Sequence, residues 1–111
     1  MPKVKFYDAH HVPEGVAKIV KAVCADYDRR RRALAGELPD DVRQRLEELN
    51  TIVDSAFNLV DEPCVRNDIL RDMVAHRGYE HSHAQMYLCE NSYYARRRLV
   101  IYEVARQMHL L

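Results

Sequence analysis

Glycine is scarce in this chain, with three in 111 residues. No phosphate-cradling glycine motif is present, which argues against nucleotide hydrolysis. No stretch alternates apolar and polar residues over the length of a strand, and no internal repeat or low-complexity linker interrupts the chain. No apolar run approaches a membrane span, and the opening MPKVKFYDAHHVPEG lacks the apolar stretch of a signal peptide. Cys24, Cys64 and Cys89 are odd in number and have no close pairing. That pattern excludes a disulfide framework or a zinc module and predicts a reduced, cytoplasmic protein with no membrane partner.

A surplus of either charge is also missing, since 17 basic residues face 17 acidic ones. Phosphate binding usually leaves a basic surplus, so the distribution matters more than the sum. Residues 1–36 carry eight Lys/Arg against four Asp/Glu, residues 37–72 four against ten, and residues 76–111 five against three. The middle is acidic and both ends are basic, which permits a modest local basic surface.

What the chain has is helical periodicity. Hydrophobic residues make up 48%, and the length suits one small domain or a reading module joined to an assembly module. Pro13 and Glu14 predict a helix start, after which Val16, Ile19, Val20, Val23, Tyr27 and Leu34 recur at helical spacing up to Gly36. Arg29 to Arg32 fall in its last turns, where cations suit the dipole. They read as a solvated helix end, as a second phosphate contact, or as partners of the acidic helix that follows. Pro39, Asp40 and Asp41 open that second helix, whose Val42, Leu46, Leu49, Val53, Ala56 and Val60 form a heptad-type seam. The short connection makes the two an antiparallel hairpin. Either a second copy, giving a homodimer, or the chain's own later helices can cover the seam.

Past Asp61-Glu62-Pro63, a third helix over about Val65 to His76 turns Ile69, Leu70, Met73 and Val74 inward and stops at Gly78, a good left-handed position. Two further helices, about 81–88 and 92–109, complete an all-α fold: a long helical hairpin (1–62, assembly region), then a connecting helix and a C-terminal helix-turn-helix (63–111, DNA-binding region). In the last helix Tyr94, Ile101, Ala105 and Met108 share one face, which is expected to pack on the third helix. Asn91, Ser92, Tyr93, Arg96 and Arg97 then occupy the first two turns, where a recognition helix meets bases and phosphates of double-stranded DNA. The same arginines also fit a plain solvated face.

Other constellations carry less. His81 and His83, two apart on a helix, point about 200° apart and cannot easily share a metal. His10-His11, His76 and His109 read as surface, capping or DNA-phosphate residues. Cys89 has histidines nearby but no glycine-rich turn or third orienting residue to make it a nucleophile. The acid pairs Asp40-Asp41 and Glu47-Glu48 suit a helix start and a solvated face. The expectation is a protein with no catalytic residues, metal or cofactor, and not an enzyme.

The segment Leu88-Cys89-Glu90-Asn91-Ser92-Tyr93-Tyr94-Ala95-Arg96-Arg97-Arg98, then Val100 to Ala105 and His109-Leu110-Leu111, resembles phage-type transcriptional regulators of the ArpU and RinA kind. Those proteins end in a helix-turn-helix similar to region 4 of sigma factors, and the resemblance covers about the last fifty residues. It implies sequence-specific DNA binding in a regulator of a phage or prophage operon. Leu88 or Cys89 stands where such turns usually carry glycine, and Glu90-Asn91 replaces a Ser-Arg opening. A helical phage assembly, packaging or protein-interaction protein without base reading is the alternative. A second is a factor docking on RNA polymerase through a sigma-like fold.

Overall fold

The computed structural model describes residues 11–111; His10 and the first ten residues of the expected assembly region lie outside them. Among the described residues the chain is all α. It contains α1 (Glu14–Ala25), α2 (Tyr27–Leu34), α3 (Asp40–Phe57), α4 (Pro63–Val74) and α5 (Glu90–Gln107), with 3-10 turns at Tyr79–His81 and His83–Met86 and no strand. Proline stands just before α1 and α3 and opens α4, where a missing N–H costs the helix nothing. Glu14, Asp40 and Asp41 put carboxylates at the positive dipole ends.

The single helix expected up to Gly36 is two. Asp26 leaves the helical region (φ −88°, ψ 3°), and the bend brings Arg30 inside. Arg30 is 2% exposed, donating from Nε to Asn50 Oδ1 at 2.6 Å and from Nη2 to the Val23 carbonyl at 2.6 Å. Arg29 pairs with Asp26 and Arg31 with Asp28. The arginine run is thus neither uniformly solvated nor paired with the acids of α3. Arg43 closes the α2–α3 connection by donating to the carbonyls of Leu34 and Gly36.

One core draws on both ends of the chain. Val20 and Cys24 of α1 belong to one cluster with Val53 and Ala56 of α3, Ile69 of α4, and Val100 and Val104 of α5. α1 packs against both α4 and α5, so the core crosses the boundary drawn between residues 62 and 63. Only half of the seam on α3 enters it. Val53, Ala56 and Val60 are buried, Leu46 and Leu49 are half-buried, and Val42 is exposed. The molecule measures 49 × 31 × 23 Å.

The short helix expected over 81–88 is absent. Ser82 takes an extended conformation (φ −91°, ψ 144°), and its Oγ accepts from the Ala84 N–H. Such a local bond competes with helix, and short 3-10 turns result. Residues 75–89 therefore separate α4 from α5, where a helix-turn-helix has a turn of about 3–4 residues.

Gly78 is not the left-handed stop of α4. His76 is, at φ 56°, while Gly78 is extended (φ −102°, ψ −170°). The His76 N–H donates to the Met73 carbonyl and the Arg77 N–H to the Asp72 carbonyl, a Schellman closure. His109 (φ 58°) repeats it at the end of α5, with Leu110 N–H on the Ala105 carbonyl. What requires glycine at 78 is space, because a Cβ there would lie 2.8 Å from Tyr94 Oη. Since a left-handed backbone penalises residues with a Cβ, His109→Gly is expected to stabilise the protein by about 0.5–1 kcal/mol. Urea denaturation measures this; a lowered midpoint would mean the imidazole itself supports the turn.

Candidate nucleic-acid interface

The buried face of α5 is centred on Tyr93, Val100 and Val104, all 0% exposed, with Ile101 at its edge and Tyr94 only half-buried. Ile101 and Ala105 of the expected stripe are buried, but Tyr93 and Val100 join them in place of Tyr94 and Met108, so the buried face is turned by about 50° from the one expected around Tyr94. Tyr93 is thereby removed from any exposed DNA-facing set. Its hydroxyl donates to Asp72 Oδ2 at 2.7 Å, and Asp72 is itself 1% exposed. Burial first, then the bond to Asp72, pushes the Tyr93 phenol up to about 12. Tyr94 Oη instead accepts from the Tyr79 N–H at 3.0 Å, and the rings of Tyr79, Tyr93 and Tyr94 pack together.

The other expected contacts separate. Asn91 is exposed, while Ser92 is half-buried, with its Oγ accepting from Cys89 Sγ and its carbonyl accepting from Arg96. Arg96 is drawn toward the α3–α4 connection by a two-pronged pair with Glu62, Nη2 to Oε2 at 2.7 Å and Nε to Oε1 at 3.1 Å. This bond from Arg96 holds the Glu62 carboxyl below its ordinary value. Glu90 begins α5, where its carboxylate meets the positive dipole end.

Arg97 goes elsewhere. Its Nη1 donates to the Arg77 carbonyl at 2.8 Å and to Tyr93 Oη at 3.0 Å, and its guanidinium lies 5.9 Å from the Tyr93 ring centroid. Arg77 in turn donates from Nε to Asp72 Oδ1 at 2.7 Å. Around these two arginines opens a cleft of about 280 Å³ lined by Lys21, Met73, His76, Arg77, Gly78 and Arg97. Sequence reading assigned no role to Lys21 or Arg77, which lie far apart in the chain.

A second carboxylate on the same face of α4 orders the turns before α5. Asp68, 5% exposed, accepts from Tyr87 Oη at 2.6 Å and lies 3.1 Å from His83 Nδ1. Burial alone would raise the Asp68 pKa, but the Tyr87 and His83 bonds more than offset it and hold it below the ordinary carboxylate value. Asp68 and Asp72 were visible as carboxylates at inward positions among Val65, Ile69 and Met73. Acids at helical spacing on an apolar face are the signal that would have found this network. The chain matches no protein-family model, no curated protein and no solved structure.

Two outcomes follow from this geometry. Tyr93→Phe leaves Asp72 with Arg77 alone and is expected to cost about 1–3 kcal/mol; an unmoved urea midpoint would mean the Tyr93–Asp72 bond contributes nothing. For Asp68 the folded pKa is depressed, so its contribution is present above the unfolded carboxylate value and is lost as pH falls through the folded one. The stability gap between the unmodified protein and Asp68→Asn is therefore expected to narrow from about pH 5 to about pH 2. A gap that stays constant or widens on acidification contradicts this.

Proposed function

We propose that this chain binds double-stranded DNA, as a regulator of a phage or prophage operon, and that it grips the backbone mainly through Arg97 and the cleft beside it. The observation that carries the reading is the convergence of Lys21, Arg77 and Arg97 on one opening of a protein with no net charge. The resemblance of the C-terminal segment to phage regulators points the same way. Asn91 and Ser92, at the start of α5, are the base-side candidates, and Arg96 serves the fold through Glu62.

With about three phosphate contacts, affinity for a random duplex is expected to drop roughly fortyfold between 50 and 200 mM salt. Arg97→Ala should weaken binding, whereas Arg96→Ala should leave it nearly unchanged. Fluorescence anisotropy reads both. Absence of binding at low salt, or binding indifferent to salt, sinks the proposal.

A second reading is assembly through α3, carried by the half of its seam that the core leaves uncovered: Val42 exposed, Leu46 and Leu49 half-buried. A homodimer through this half would pair two DNA grips across a two-fold axis. Sedimentation at micromolar concentration tests it. A mass of twice 13.0 kDa, reduced to 13.0 kDa by Leu49→Glu, supports the dimer, and 13.0 kDa for the unmodified protein excludes it.

A further inference from the structure

We infer that the cleft between α1, the turn after α4 and α5 is a seat for a single phosphate group. Three cations line it, each from a different part of the chain: Lys21 of α1, Arg77 beyond the Schellman turn and Arg97 of α5. His76 adds an imidazole from that turn. Bringing like charges together costs electrostatic energy, which an anion between them recovers. Asp72 sits behind the cleft at 1% exposure and already accepts from Arg77 Nε and Tyr93 Oη, and the exposed Glu80 places its Oε1 3.7 Å from where a Cβ on Gly78 would stand.

The donors are also held in place. Asp72 fixes Arg77 by its Nε, and the Arg77 carbonyl and Tyr93 Oη fix Arg97 by its Nη1. The remaining guanidinium edges are the ones an anion would meet, and little freedom is left to lose on binding. Two guanidinium forks and an exposed ammonium, coming from three directions, suit the tetrahedrally arranged oxygens of a phosphate group better than a planar carboxylate. At about 280 Å³ the cleft lies just below the usual range for drug-sized ligands and suits a small group. Gly78 lines it without a side chain.

That phosphate is either a diester of a DNA backbone or free phosphate; the first source rests on the DNA reading above, the second does not. The test is a nuclear magnetic resonance titration of the full chain with inorganic phosphate at constant ionic strength, repeated with a short duplex. The companion variant is Lys21→Glu, a change at an exposed position of α1. Saturable shifts confined to Gly78, Arg77 and Arg97, weakened about tenfold or more by Lys21→Glu, support the seat. If the duplex competes with phosphate and is weakened by the same variant, the source is DNA. If phosphate binds and the duplex does not, the seat stands and the DNA reading falls. Duplex binding indifferent to phosphate and to Lys21→Glu keeps DNA binding as such but overturns both the seat and the grip through the cleft. Small shifts spread over the surface, equal in both proteins, or no shifts at all, overturn it too.

Discussion

A carboxylate buried in an apolar core has to be met by donors, and Asp72 is met by two: the Tyr93 hydroxyl and Arg77 Nε. This pairing decides how α5 is turned. The expected face around Tyr94 and the observed one around Tyr93 share Ile101 and Ala105, and the observed one brings the Tyr93 hydroxyl to Asp72. Leaving the buried Asp72 without the Tyr93 hydroxyl costs about 1–3 kcal/mol. With Tyr93 committed to Asp72, Arg97, one turn further along α5, is carried to the same spot, where Tyr93 Oη accepts from it. The cleft is a consequence of satisfying one buried acid.

The neutrality of the chain becomes intelligible once its arginines are followed to their partners. Arg43 donates to two carbonyls at the end of α2, Arg66 to the Val60 carbonyl, and Arg30 to Asn50 and Val23. Arg96 is held by Glu62, and Arg106 by Glu103. These side chains close turns and connections that few glycines are available to close. A cluster of arginines in sequence is therefore a poor guide to a basic surface here, because Arg30 is drawn inward to Asn50, Arg96 to Glu62 and Arg97 to the Arg77 carbonyl.

Helix positions and the choice of an all-α fold were legible from proline, first-turn acids and apolar spacing. The break at Asp26 was not, because it goes with the burial of Arg30 against Asn50, a contact between distant residues. The turns at 79–86 were misread for a related reason. Ser82 bonds locally, and Asp68 recruits His83 and Tyr87 from another element. The left-handed residue fell on His76 rather than Gly78, since the close approach of Tyr94 Oη had already claimed the glycine. Of the five side chains expected at a DNA surface, Arg97 alone lines the cleft. Its companions Lys21 and Arg77 come from parts of the chain that no helical wheel relates.

Arg77 and Arg97 come from the C-terminal half of the chain, yet Lys21 belongs to α1. The helix carrying it reaches the cleft because Val20 and Cys24 are anchored at 0% exposure in the shared core. Burial raises the Cys24 thiol pKa to about 12, against the opposing influence of Arg30 and Arg97, so at neutral pH this residue packs as a small apolar group. Lys21, one turn before Cys24, is left on the exposed side of α1 and meets the turn after α4. A segment equivalent to residues 63–111 would retain Arg77 and Arg97 but lose both the third cation and the apolar wall that holds their helices together. The N-terminal helices are thus part of the cleft itself, while half of the seam on α3 stays outside the core.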